Sequence, residues 1–334
     1  MDKSKKFVIL FPTLLLLMVM INYIFNYTID PFGIKSTKDK FVEQLNAQWT
    51  YLYKPKILQK QPYYLLGTSR SEQIDNDLVS NYLNKHMIYL GMSNQTLNEA
   101  LFLIEQIKAN KNNFISGFDV IEVKLNHELQ YNRLEEEFEL NKLFAKVNLH
   151  INPKTTQESA VYIIKKILGQ KIDTNFIELD NKSYLYSNKN IDDKVKNDSH
   201  YKDYQANTES VMKLAKLADS DDIIIIFPKF ATYYKKFQEY YDIENQYFNL
   251  IKILVNNTNA KIWSFYGINE ITTNKDNFDN AGWHFKPKVG KLMFARIFND
   301  TSIKIPQNFG FLLDKNNVDK YLESLHNEVR NYKE

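Results

Sequence analysis

Hydrophobic and polar residues occur in blocks along this chain, and the first apolar block is the longest. From Phe7 to Phe25 the sequence carries no charged residue, and a run of about 19 residues is long enough to cross a bilayer as a helix. Lysines precede this run, and positively charged flanks stay in the cytoplasm. The pattern predicts a cytoplasmic tail over 1–6, a transmembrane anchor over 7–26 and an extracytoplasmic remainder.

A cleaved signal peptide is the alternative interpretation of the apolar block. Cleavage needs a small-x-small motif after the apolar run, whereas the chain continues as Asn22-Tyr23-Ile24-Phe25-Asn26-Tyr27. The absence of small residues favours an uncleaved anchor in a bacterial cytoplasmic membrane, with the main domain outside the cytoplasm.

Beyond the anchor, short apolar runs alternate with segments of helical spacing. The runs are continuously apolar, which is typical of parallel strands covered on both faces. Strands separated by helices predict an α/β fold of three layers around a central parallel sheet of about five strands. The predicted strands are 63–66, 87–90, 118–125, 222–227 and 262–266. The predicted helices are 71–83, 97–107, 158–168, 201–218, 230–255 and 287–298.

The same pattern divides the chain into regions. A stalk or linker helix is expected over 27–60, and the α/β domain over 61–300. A polar, Asn- and Lys-rich stretch interrupts the alternation, so we interpret 127–200 as an insertion. A polar C-terminal tail with a late helix is expected over 301–334.

Composition narrows the possible functions. The net charge is only +3 in 334 residues, with basic and acidic residues interleaved, so the chain lacks the clustered basic face that nucleic-acid binding requires. The sequence contains no cysteine, which excludes disulfides, thiolate catalysis and cysteine-ligated metals. No metal and no cofactor are expected.

The most informative motif is Gly67-Thr68-Ser69-Arg70-Ser71, where the first predicted strand meets a helix. Ligands of open α/β sheets bind beyond the carboxyl ends of the strands, so Ser69 is a candidate nucleophile. The alternative is that Ser69 or Ser71 only caps the helix, a role that suits Ser71 better. Arg70 is a candidate for binding a substrate carboxylate or phosphate, or it makes a contact at the helix start.

Three further motifs follow strand ends or precede the last helix of the domain. Gly91, in Tyr89-Leu90-Gly91, would let the backbone approach a bound oxygen, or it forms a tight turn. Asn126 could donate its amide to an oxyanion, or it fixes a turn. His284 precedes a helix that starts at Pro287, and a histidine there can take the proton of a serine. His127 is the rival base.

Together, these motifs in the order Ser, Gly, Asn, His resemble the blocks of the SGNH (GDSL-type) hydrolase superfamily. The resemblance covers roughly residues 28–300 and is weaker over 127–200. The anchor, Asp30-Pro31-Phe32-Gly33, the Ser69 motif and His284-Phe285 followed by Val289-Gly290 resemble membrane-anchored envelope members. Those include the D-alanyl transfer protein of teichoic acid pathways, the peptidoglycan O-acetyltransferase accessory protein and the alginate acetylation proteins.

The resemblance implies an SGNH-like (flavodoxin-like) fold and assigns roles to matching positions. Ser69 matches the nucleophile and His284 the base. Ser69, Gly91 and Asn126 match the oxyanion donors, although the family glycine aligns better with Asn94, which is also a possible substrate contact.

The position of the acid departs from the family. The family places an aspartate three residues before the histidine, where this chain has Ala281. Asp279 or Asp276 could replace it only if the residues between were looped out. Asp279 is the candidate that we assign.

The resemblance therefore implies a serine-dependent acyltransferase or esterase that acts on acyl esters of an envelope glycan. It also implies an integral-membrane acyltransferase as partner. The displaced acid motivates an alternative, in which an inactive SGNH fold serves as a binding or assembly factor for polysaccharide acylation.

Overall fold

The computed structural model describes residues 3–31, 63–91, 94–120, 123–125, 147, 150–169, 188–198, 201–279 and 282–333. The chain divides into two compact units. The first comprises Met1–Leu58 with Arg133–Asn175, and the second comprises Gln59–Asn132 with Phe176–Glu334. Most of the predicted stalk lies outside the described residues, as do Asn126 and His127.

The first unit contains the predicted apolar helix, α1 (Lys3–Ile29). Its segment Phe7–Ile29 has a mean hydropathy of 2.4 and is long and apolar enough to cross a membrane. The helix runs three residues further than the predicted anchor and ends at Ile29, before Asp30, whose φ of 47° is left-handed. A helix from the predicted insertion, α4 (Pro153–Ile167), belongs to the same unit.

The second unit is built on a sheet whose described strands follow the order β2-β1-β3-β4-β5-β6. The first five strands in this order are parallel to their neighbours, and β6 pairs with β5 in the antiparallel sense. The α/β class is confirmed, but the sheet is mixed rather than purely parallel. The strands are β1 (Tyr63–Leu66), β2 (Met87–Tyr89), β3 (Asn113–Gly117), β4 (Ile223–Ile226), β5 (Lys261–Ser264) and β6 (Phe311–Leu313).

The third strand lies earlier than predicted. We expected it over 118–125, but β3 ends at Gly117. Its start is fixed by the buried Asp222 carboxylate, which accepts a hydrogen bond from Phe114 N–H at 2.9 Å. The serine and glycine near the end of β3 have weak strand propensity, which is why the pattern of residues did not indicate a strand there.

The helices of the second unit follow the predicted alternation, with two interruptions. The predicted helix 71–83 is a 3₁₀ turn (Ser71–Gln73) followed by α2 (Asn76–Leu83). The predicted helix 230–255 is divided into α7 (Ala231–Tyr240) and α8 (Glu244–Asn257). The region set apart as a tail supplies β6 and α10 (Val318–Asn331). The helices are α2 (Asn76–Leu83), α3 (Leu97–Ala109), α5 (Asn188–Lys196), α6 (Thr208–Leu217), α7 (Ala231–Tyr240), α8 (Glu244–Asn257), α9 (Pro287–Ile297) and α10 (Val318–Asn331).

The core lies on both faces of the sheet. Every residue of β1 and β4 is buried, and successive strand side chains point to opposite faces, so both faces are covered. The chain passes from β1 to β2 on one side and then returns to β3 on the other side of β1. This reversal creates a crevice at the carboxyl ends of β1 and β3, where open α/β sheets bind ligands.

Candidate active site

Ser69 lies on a tight turn just beyond the end of β1. Gly67 N–H donates to Gln95 Oε1 at 2.7 Å, and the Ser71 hydroxyl donates to the Thr68 carbonyl at 2.6 Å. Ser69 itself is partly exposed, whereas Gly67, Thr68 and Ser71 are buried. The turn is therefore held by its neighbours, which leaves the Ser69 hydroxyl available for another contact.

Neither Ser69 nor Ser71 caps the helix that follows this turn; Asp75 does. The 3₁₀ turn that begins at Ser71 has no side-chain cap, and Ile74 is extended. The cap of α2 is Asp75, whose carboxylate accepts from the N–H groups of Asp77 and Leu78 at 3.0 and 3.2 Å. Ser69 is thus not required to cap a helix, and Ser71 closes the turn.

The Ser69 hydroxyl contacts a histidine from the far end of the chain. Ser69 Oγ lies 2.8 Å from His284 Nε2, although the two residues are 215 positions apart. The His284 side chain is about one quarter exposed, so the pair lies at the surface of the crevice rather than in the core. This is the geometry of a nucleophile beside its general base.

A short hairpin brings Asp279 to the other side of the imidazole. Asp279 Oδ2 lies 2.7 Å from His284 Nδ1, and Asp279 N–H donates to the His284 carbonyl at 2.8 Å. Gly282 turns the chain with a left-handed φ of 70°, a conformation that is easy for glycine. The loop therefore places an aspartate five residues away against the histidine; Asp276 is exposed, and Ala281 lies outside the described residues.

Electrostatics hold Asp279 in its ionised form. Burial raises the pKa of this carboxyl, but the hydrogen bond and charge of His284 and the Trp283 N–H lower it more, so the pKa lies below its ordinary value. An ionised Asp279 accepts a hydrogen bond from the Nδ1–H group of His284, and in that tautomer Nε2 accepts a hydrogen bond from the Ser69 hydroxyl. The three side chains thus form one directed hydrogen-bond chain.

Of the predicted oxyanion and substrate residues, Gly91 lies beside the serine turn. A Cβ on Gly91 would lie 2.5 Å from the Gly67 carbonyl oxygen, so only glycine fits there. Gln95, a buried residue that we did not predict, joins both loops, because its amide donates to the Leu90 carbonyl at 3.3 Å and accepts from Gly67 N–H. Asn94 is exposed with a left-handed φ of 56°, and Asn126 lies outside the described residues.

Arg70 is used inside the protein rather than at the surface of the crevice. Its side chain is fully buried, and its guanidinium donates to Asp119 Oδ2 and to the Pro228 carbonyl. Asp119 follows β3 and Pro228 follows β4, so Arg70, next to Ser69 in the sequence, connects the carboxyl ends of three neighbouring strands. A guanidinium in this position stabilises the turn and is not available to a substrate.

A second buried cation, Lys229, lies beside the same carboxylate, and Arg70, Asp119, Lys229 and Trp283 together form a buried cluster. Lys229 Nζ lies 3.5 Å from Asp119 Oδ1 and 4.4 Å from the centroid of the Trp283 ring. The Arg70 guanidinium lies 5.2 Å from the same ring, and aromatic faces attract cations at such distances. Since Trp283 precedes His284, the cluster supports both the serine turn and the histidine loop.

The charges of the cluster shift the pKa values of its members. Burial lowers the pKa of Lys229 from 10.5 to about 8, against the opposing effect of Asp119. Burial raises the pKa of Asp119, but the charges of Lys229 and Arg70 lower it by more. The pKa therefore lies below its ordinary value, and Asp119 stays ionised. We did not predict Asp119 or Lys229; the signal available was a charged residue two or three positions after a buried strand, where an unpaired charge is costly.

No protein-family model and no curated protein matches this chain. The interpretation of the site therefore rests on the geometry of its residues.

Proposed function

We propose that this protein is a serine-dependent acyltransferase or esterase of the SGNH type. The observation that carries the proposal is the chain of hydrogen bonds from Ser69 through His284 to Asp279, with heavy-atom distances of 2.8 and 2.7 Å. A serine, a histidine and a carboxylate in this order and geometry activate a hydroxyl for attack on an acyl carbon.

The proposed reaction has two half-reactions. His284 Nε2 takes the proton of Ser69 as Oγ bonds to the ester carbonyl carbon, and then returns it to the alcohol oxygen as the ester C–O bond breaks. The acyl group remains on Ser69. A second hydroxyl, from an acceptor or from water, then loses its proton to Nε2 as its oxygen bonds to the acyl carbon. The bond between the acyl carbon and Ser69 Oγ breaks, and Nε2 gives the proton to Oγ.

The proposed substrate is an acyl ester of a cell-envelope glycan, with an integral-membrane acyltransferase as partner. Support comes from the resemblance of the Ser69 and His284 motifs to envelope SGNH proteins and from the apolar helix α1 at the N-terminus. We also propose that α1 is an anchor, with the second unit outside the cytoplasm.

Catalysis is preferred over the inactive binding or assembly role. That role was motivated by Ala281, which occupies the position where the family has its acid. Asp279 lies within hydrogen-bond distance of His284, so the departure in sequence does not remove the acid from the site.

A fluorophosphonate probe should label the wild-type protein at Ser69, because His284 lies beside this hydroxyl and activates it. Label incorporation and its position are measured by mass spectrometry of the intact protein and of its peptides. Ser69→Ala should abolish labelling, while Ser302→Ala, at an exposed serine hydrogen-bonded to Asp300, should retain it. Equal labelling of Ser69→Ala and wild type would refute the proposed nucleophile.

A reporter that is active only outside the cytoplasm should work when fused after Glu334. The positive flank of α1 keeps the N-terminus inside, so a single crossing places the remainder outside. The control is the same fusion after deletion of residues 3–31, which should be inactive. If that fusion were inactive and a second reporter, active only in the cytoplasm, worked at the same position, export would be contradicted.

A further inference from the structure

Helix α1 carries two asparagines inside its apolar span, and both bind to the start of α4. Asn26 Nδ2 donates to the His150 carbonyl at 2.6 Å and to Thr156 Oγ1 at 3.0 Å. Ser159 donates to Asn26 Oδ1 at 2.8 Å, and Asn26 is fully buried. An amide without hydrogen-bond partners is costly inside a membrane. The partners that α4 supplies to Asn26 therefore offset the cost of an asparagine at this position of the span.

The second asparagine extends the same contact over one more turn of α1. Asn22 Nδ2 donates to the Ile151 carbonyl at 3.2 Å, and Thr156 Oγ1 donates to Asn22 Oδ1 at 2.8 Å. The His150 ring packs edge-on against Tyr23 and Tyr27, with centroids 5.1 and 5.4 Å apart. The start of α4 is thus fixed to the last turns of α1.

The place of this contact sets the depth of α4. At 1.5 Å per residue, Asn26 lies about 28 Å along α1 from Phe7, and the hydrocarbon core of a bilayer is about 30 Å thick. If α1 crosses a membrane as proposed above, α4 therefore starts at the outer boundary of the hydrocarbon core.

The far end of α4 presents an apolar patch, which we define as Ile164, Ile167 and Leu168. Their exposed fractions are 55%, 77% and 63%, and the i, i+3, i+4 spacing puts them on one side of the helix. Thr155 and Ser159, which are buried, lie on the opposite side. Lys165 and Lys166 are interleaved with the patch, and lysine can extend its ammonium from an apolar surface to polar headgroups.

We propose that α4 is an interfacial helix whose apolar patch inserts into the outer surface of the bilayer that α1 crosses. An apolar side with flanking lysines is typical of helices that lie in this region. Lipid is the occupant that we infer, since the contacts with Asn22 and Asn26 hold the start of α4 at the depth where headgroups meet acyl chains. This inference rests on the membrane anchor of the proposed function and is independent of catalysis.

The test uses the absence of cysteine in the chain. Ile167→Cys in the full-length protein is labelled with a nitrobenzoxadiazole fluorophore and reconstituted into vesicles of phosphatidylethanolamine and phosphatidylglycerol. Lipid carrying a nitroxide near its headgroup should quench this fluorophore, and aqueous iodide should not. Leu15→Cys reports insertion of α1 through quenching by a deep acyl-chain nitroxide, and Lys315→Cys, at an exposed position of the second unit, should be quenched by iodide alone.

Each outcome is decisive. Quenching of the Ile167 label by iodide without lipid quenching would overturn the proposal, because the patch would lie in water. Protection from both quenchers would also overturn it and would indicate a protein partner on the patch. Failure of the deep nitroxide to quench the Leu15 label would instead overturn the anchor itself, whereas lipid quenching at Leu15 with none at Ile167 would refute only the interfacial helix.

Discussion

Ser69→Ala should lower kcat/KM for ester cleavage by about 10³-fold or more, while the free energy of unfolding changes by less than about 0.5 kcal/mol. The hydroxyl is partly exposed, and the turn is held by Gly67 and Ser71, so its loss removes the nucleophile and little else. His284→Ala should lose as much, and the double variant should lose no more, because nucleophile and base act as a unit. Hydrolysis of p-nitrophenyl acetate and thermal unfolding measure the two quantities.

The matched control for His284 is His326, which forms a second histidine–carboxylate pair. His326 Nδ1 lies 2.5 Å from Glu244 Oε2, but His326 belongs to α10. His326→Ala should retain activity, and Asp279→Ala should cost less than His284→Ala, since the aspartate only orients and stabilises the imidazole. Wild-type function in a folded Ser69→Ala protein would exclude the catalytic role and favour a binding role.

Asp119→Ala should lower the free energy of unfolding by about 3–5 kcal/mol, the cost of breaking a buried ion pair. The substitution leaves Arg70 and Lys229 buried without the carboxylate that lies between them. Chemical denaturation of both proteins at pH 7 gives the difference. A loss below about 1 kcal/mol would show that the two cations do not depend on Asp119.

Lys229→Met is the control, and it should be far less destabilising, because Arg70 and Asp119 remain as a balanced pair. This variant also shows how much the titration of Lys229 contributes to the pH dependence of the free energy of unfolding. Since the pKa of Lys229 falls from 10.5 to about 8 on folding, the unfolded chain binds more protons between these values, and stability should rise with pH there. The raised pKa values of buried tyrosines, such as Tyr64, oppose this above about pH 10. Lys229→Met should therefore lack the rise between about pH 8 and 10.

The sequence predicted those parts of the fold that depend on local pattern. The apolar runs of β1 and β4 and the spacing of α3 and α9 were sufficient to locate these elements. The strand β3 was misplaced because Asn113, Ser116 and Gly117 are poor strand residues, and its position depends on pairing with β1 and β4. The edge strand β6 was missed because it is short and two of its residues are exposed.

The candidate site likewise contains residues that local motifs predicted and contacts that depend on the folded chain. Ser69 and His284 stood out because each has an informative motif around it. Asp279 was assigned from the sequence, but the hairpin that brings it within hydrogen-bond distance of His284 is visible only in the folded backbone. The contact between Arg70 and Pro228 spans 158 positions, and no local pattern of residues indicates such a pair. Of the two roles considered for Arg70, its burial and its contacts with Asp119 and Pro228 favour the structural one.

The division of the chain into two units has a practical consequence for making a soluble form. Helix α1 and residues 133–175 belong to one unit but come from separate stretches of sequence. Truncation of the N-terminus alone would leave the hydroxyls of Thr156 and Ser159 without Asn22 and Asn26, on the same helix that carries an apolar patch prone to aggregation. Excising both stretches would remove the whole first unit and retain all the described strands of the sheet.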